Sequence, residues 1–209
     1  MTSLTVWAGR HAVGHLSHDP GTNRFAFAYT DEWARLRNAF PLCPQLPIRQ
    51  DEISSEQHSA IVRQFFENLL PEGRLRDLIA FRDRIDPRDT WALLIRHGQD
   101  TAGALSLIPE GFDVATEEIL VPLAREALQE KIEASRARNL PLMASWEEIR
   151  MSLAGAQEKL GLRIDAHGAM FLPEGSAPST HIVKPENASA DFPHCPANEF
   201  FCMRLAHEL

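Results

Sequence analysis

The sequence predicts an α+β protein: an N-terminal antiparallel β-meander with packed helices, followed by a second unit of antiparallel strands and a helix. Three observations carry this. Residues alternate in polarity over Ser3–Ala8 and Arg24–Tyr29, with Val13–Leu16 as a second strand and turn formers between, as half-buried antiparallel strands do. Apolar residues then fall at Ile61, Val62, Phe65, Phe66, Leu69 and Leu70, the spacing of an amphipathic helix. Lastly, Arg150 to Lys184 reads as a short strand, a small-residue turn, further strands and a terminal Lys. Nucleotide-binding lobes are built this way, with a flexible turn over the phosphates and a strand Lys pairing with them.

Taken in order, Gly9-Arg10-His11 turns the chain between the first two strands, and Asp19-Pro-Gly-Thr-Asn23 between the second and third. Asp31-Glu-Trp33 begins a short helix, and the Pro-broken Cys43–Ile48 is expected to run extended along an edge. Ser54-Ser-Glu-Gln57 has capping-box form ahead of the amphipathic helix, which Pro71-Glu72-Gly73 ends. Arg74–Phe81 is a second helix. Asp86-Pro87 is expected to supply the N-cap and first-position Pro of a third, Thr90–His97, closed by Gly98. Gly103–Ile108 reads as a strand, 112–120 as a polar loop with a short strand, and Val121–Arg138 as one helix. Ser152–Ala154 and Leu160–Ile164 are expected to form a hairpin, with Met170–Leu172 and Thr180–Lys184 as further strands. Pro196 opens a last helix with Phe200, Phe201, Leu205, Ala206 and Leu209 expected on its inner side. The expected boundaries are 1–111, a connecting segment 112–145, and 146–209.

Of the 209 residues 44% are hydrophobic and 24% charged, an ordinary globular mix. No apolar run reaches the roughly 18 residues of a membrane helix. The N-terminus lacks a basic-then-apolar leader pattern, and Cys43, Cys195 and Cys202 lack framework spacing, so reduced thiols in a cytoplasm are expected. A net charge of −8 argues against direct nucleic-acid binding and suits a basic protein partner. The arginines between Arg74 and Arg96 lie among acids and read as a solvated helical surface.

The candidate site residues are few. Ala154, Gly155 and Ala156 are small enough to let backbone N–H groups approach phosphate oxygens, with Gln157, Glu158 and Lys159 following. The turn holds one Gly and is not a P-loop, so an ordinary hairpin turn is the competing reading. Lys184 could lay its stem along an apolar strand and its ammonium on phosphate; a solvated strand-end Lys is the alternative. Glu199 could hold Lys184, or could be a carboxylate favoured by the helix N-terminus. His194, Cys195, Cys202 and His207 lack the spacing of metal ligands, Cys202 is expected to face the core, and no metal site is assigned. His207-Glu208-Leu209 only begins like H-E-x-x-H.

The wording of these stretches is specific. Ser152-Leu-Ala-Gly-Ala-Gln-Glu-Lys159, Thr180-His-Ile-Val-Lys184 and Asn198-Glu-Phe-Phe-Cys202 resemble the HipA family, as do Phe66-Glu-Asn-Leu-Leu-Pro-Glu-Gly73 and Gly103-Ala-Leu-Ser-Leu. These are serine/threonine kinase toxins of bacterial toxin–antitoxin modules, linked to persistence. The resemblance implies a HipA N-terminal subdomain followed by the start of a kinase N-lobe. It implies ATP and Mg²⁺ as cofactors, Ala154–Lys159 over the ATP, Lys184 as its lysine, and Ser152 as an inhibitory autophosphorylation site. It implies a HipB-like DNA-binding antitoxin as partner and an aminoacyl-tRNA synthetase as substrate.

Phosphoryl transfer also needs a carboxylate for the nucleophile and ligands for Mg²⁺. In the family these lie in a C-terminal lobe beyond the last helix here, so the chain alone is expected to be inactive. It is then either the N-terminal part of a kinase, or a non-catalytic module that docks on a kinase lobe supplied in trans or on an antitoxin. A third reading is an inactive remnant. Ile182, Phe201 and Leu205 are expected to leave an apolar face that a homodimer would cover.

Overall fold

The computed structural model describes residues 3–49, 55–101, 103–112, 117–138, 140–142, 159–186 and 193–209. The described residues form two compact units, 3–112 and 117–142 with 159–209.

Unit 1 is built on a sheet of β1 (Ser3–Ala8), β2 (His11–Asp19), β3 (Arg24–Tyr29) and β4 (Leu105–Pro109), in the order β3-β2-β1-β4. The three alternating segments form the expected antiparallel meander, and β4 joins the free side of β1. Register puts Leu4, Leu16 and Phe27 side by side, and all three are buried. At Gly14 a Cβ would lie 2.4 Å from both the Ala28 carbonyl oxygen and the Phe27 ring, so only glycine fits.

Helix α1 (Asp31–Arg35) is capped by the Thr30 side chain, which accepts from Trp33 N–H. Helix α2 (Ser55–Glu67) covers β3: Phe66 meets Phe27 with ring centroids 5.7 Å apart. Ser59 Oγ accepts from Phe25 N–H at 2.9 Å and His58 Nε2 from Phe27 N–H at 3.3 Å. The outer edge of the sheet is thus partly satisfied by helix side chains, which keeps it from templating another strand.

Helices α3 (Gly73–Asp83) and α4 (Thr90–His97) follow. The N-cap of α4 is Asp89, not Asp86, because Asp89 accepts from Ala92 N–H at 3.0 Å. Asp86 instead closes the preceding turn by accepting from Arg88 N–H and its guanidinium, which holds its carboxyl down at about 2. Cys43–Ile48 is not an extended edge. Leu46 N–H bonds back to Cys43 C=O, Leu46 is fully buried, and the Tyr29 hydroxyl donates to its carbonyl at 2.5 Å.

Unit 2 has a sheet of β5 (Glu118–Leu123), β6 (Leu160–Ile164), β7 (Met170–Gly175) and β8 (His181–Val183), in the order β5-β7-β6-β8. Helix α5 begins at Arg125 and runs to Arg138. Val121–Leu123 therefore belong to a strand rather than to the expected single helix from Val121. They pair with Met170–Leu172, and Pro122, on an edge strand, can do without a ladder N–H. Among the described residues, Leu123, Leu128, Leu142, Leu160 and Leu162 are buried in this unit.

Helix α6 (Cys195–Glu208) has no buried residue among those described. Phe200, Phe201, Met203, Leu205 and Leu209 are all at least half exposed, which overturns the expected inner face. Cys202 is exposed rather than core. Phe201, Leu205 and Leu209 share one side by their i, i+4, i+8 spacing, and that side is exposed. Among the described residues no helix is long and apolar enough to cross a membrane.

Candidate functional site

Lys184 is the first residue past β8. That strand pairs antiparallel with β6, Leu160 opposite Val183 and Leu162 opposite His181. Lys159 immediately precedes β6 and Lys184 immediately follows β8, so the two sit at the same end of this strand pair. Ser152, Ala154, Gly155, Ala156, Gln157 and Glu158 lie outside the described residues, as does the expected strand Ser152–Ala154.

Glu199 lies near the N-terminus of α6, which starts after His194 in the left-handed conformation (φ 61°) with Pro196 in the first turn. Lys184 Nζ donates to Glu199 Oε1. Their side chains are 27% and 44% exposed, so the pair contributes only about 0–1 kcal/mol to stability. Its weight is directional: it fixes where the ammonium of Lys184 sits. The strand beside it is little buried: Ile182 is 53% exposed. The reason is topological: β8 is an edge strand of three residues.

Sequence reasoning missed a third residue. Arg136, near the end of α5, donates through Nη2 to the backbone carbonyl of Glu186 at 2.9 Å, two residues past Lys184. A contact between residues 50 apart leaves no trace in local pattern. Glu186 also carries a buried carboxylate oxygen, Oε1, with no hydrogen-bond partner.

The donor chemistry at this end of the sheet fits a polyphosphate, which takes ammonium groups as point charges. For a divalent cation, the described residues gather no group of three His, Cys, Asp or Glu side chains. Lys184 and Glu199 can hold and orient an anion; they offer no carboxylate free of a cation to take a proton.

The chain was compared with known proteins. The family model for the HipA N-terminal domain matches residues 4–108, and that for the HipA-like C-terminal domain matches residues 151–209. The Sinorhizobium fredii protein Y4mE is 36% identical over 208 residues, which are 97% of this chain and 47% of that protein. The serine/threonine-protein kinase toxin HipA of Shewanella oneidensis is 34% identical over 208 residues, 99% of this chain and 44% of that protein. A solved structure of the Shewanella oneidensis HipA, HipB and operator DNA complex contains a chain that matches with a TM-score of 0.72 and 34% identity. That match covers 98% of this chain and 44% of the solved one. The chain thus spans less than half the length of these relatives.

Proposed function

This chain belongs to the HipA family, and we propose that it forms the N-terminal part of a toxin kinase of a type II toxin–antitoxin module. The proposed reaction moves a phosphoryl group from ATP to a Ser or Thr of a translation protein, in the family an aminoacyl-tRNA synthetase. The observation that carries the reading is the Lys184–Glu199 pair at the end of β8.

In this reading Lys184 binds the ATP phosphates and Glu199 keeps its ammonium aimed at them. Backbone N–H groups of Ala154–Lys159 cover the same phosphates. ATP with Mg²⁺ supplies the transferable group and neutralises its charge. The Mg²⁺ ligands and the carboxylate that orients the nucleophile are assigned to the length of the relatives that this chain does not span, so the chain alone does not transfer phosphate. Phosphorylation of Ser152 adds a dianion beside the phosphate site and disfavours ATP by like-charge repulsion. Residues 1–111 form the N-terminal subdomain, 112–145 connect, and 146–209 begin the kinase domain. A HipB-like antitoxin is the proposed partner, since the relative's solved structure is a complex with HipB and operator DNA.

Calorimetric titration of the chain with MgATP tests this. Binding by the parent and its loss in Lys184→Ala is the expected result. Absence of binding by the parent overturns the preformed nucleotide site. It shifts weight to a second reading, favoured by the exposed apolar side chains of α6: a non-catalytic module that docks on a kinase lobe in trans or on the antitoxin. Co-purification with either would then be expected.

A further inference from the structure

Lys184 needs more than Glu199 to hold its position. The segment Lys184-Pro185-Glu186 leaves a three-residue edge strand, so its backbone direction is weakly set by the sheet. Glu186 adds a reason to move. Its Oε1 is buried without a partner, and a buried unsatisfied carboxylate oxygen favours any rearrangement that returns it to water. What opposes this is Arg136, whose guanidinium takes the Glu186 carbonyl at 2.9 Å in a charge-assisted bond. Arg136 is itself exposed, and the helix that carries it is anchored. Its neighbour Ser135 is buried and donates to Leu140 C=O at 2.6 Å, and Leu128, two turns earlier in α5, is in the core.

We propose that Arg136 is a positioning residue for Lys184: by clamping the Glu186 carbonyl to α5 it keeps the ammonium of Lys184 on Glu199. The proposal deepens the reading of Lys184 as the phosphate-binding lysine, and its test does not need ATP to bind.

The chain has three lysines, Lys131, Lys159 and Lys184, so amine acylation read by peptide mass spectrometry reports each one separately. An ammonium held by a carboxylate acylates slowly. Glu199→Gln sets the released rate for Lys184. Arg136→Gln is expected to raise labelling of Lys184 about fivefold, the scale of one hydrogen bond, with Lys131 unchanged. Arg136→Lys, which keeps a donor and a charge, is expected to recover part of the protection. Adding Glu186→Ala to Arg136→Gln removes the unsatisfied oxygen and is expected to restore slow labelling. Unchanged labelling of Lys184 in Arg136→Gln overturns the proposal. So does an equal rise at all three lysines, which reports loss of the fold. Failure of Glu199→Gln to raise the rate overturns it too, because there is then no held ammonium. A parent that binds no MgATP yet shows the expected labelling pattern sinks the nucleotide reading and leaves the clamp intact.

Discussion

Helices α2 and α6 are nearly equal in length, 13 and 14 residues, and each carries two consecutive phenylalanines. In α2, Phe66 is fully buried and packs on Phe27 and Phe65. In α6, Phe200 and Phe201 are 69% and 65% exposed. The residues are alike, and the difference lies in what covers them. Val62, Phe66 and Leu70 form one stripe and face a sheet whose inner side chains are Leu16 and Phe27. In α6, Phe201, Leu205 and Leu209 have the same spacing yet stay exposed, and Glu199 makes a polar pair with Lys184. Unit 1 is therefore held by packing, while the candidate site includes a helix with no buried residue among those described. Elements with few buried contacts are the ones a ligand can shift at small cost.

The strongest way to break this comparison is Phe66→Ala. Loss of a fully buried aromatic side chain is expected to destabilise unit 1 by about 3–5 kcal/mol. Urea denaturation followed through the buried Trp33 and Trp91 of unit 1 would measure it. A cost as small as an exposed site's would mean that α2 is not part of the core.

A middle-sized effect is expected from acid. Asp83 and His97 meet at 2.6 Å with side chains 9% and 8% exposed. Burial pushes the Asp83 carboxyl up, but the His97 hydrogen bond and the Arg82 charge outweigh it and leave it below its usual range. Burial also lowers His97, and the opposing pull of Asp83 does not restore it. Each group takes its proton more readily in the unfolded chain than in the folded one. Stability is therefore complete above the ordinary His value of about 6.5, falls as pH drops through it, and falls again in the carboxylate range near 4. Denaturation midpoints between pH 8 and 5 should decline in the parent and flatten in His97→Gln, which keeps a donor for Asp83. A flat parent profile would mean the pair is not linked to folding.

The smallest effects belong to α6. Phe201→Ala and Glu199→Gln are each expected to change stability by no more than about 0.5–1 kcal/mol, because the first is exposed and the second breaks a part-exposed pair. The same denaturation assay reads both. A loss on the scale of Phe66→Ala at either position would show α6 to be buried in solution.

Much of the fold was legible in the residues. Alternation marked β1 and β3 to the residue because those strands are half buried, with one face in the core. The stripe from Ile61 to Leu70 marked α2 for the same reason. Capping and edges were less legible. Asp86 and Asp89 both suit an N-cap, and only the direction of Ala92 N–H separates them. Val121–Leu123 continue the spacing of α5, yet pairing with Met170–Leu172 draws them into a strand. At the site, Lys184 and Glu199 were named from wording and analogy. Arg136 was not, because its bond to Glu186 spans 50 residues.

The sequence by itself determined the family, the two sheets' main strands and the residue types at the candidate site, since those depend on local period and on motif wording. The tertiary structure decided which apolar faces are covered, where β5 ends and α5 begins, and which side chain anchors the segment after Lys184. Burial and long-range pairing depend on what lies opposite in space, and a one-dimensional pattern of apolar and polar residues carries no record of that.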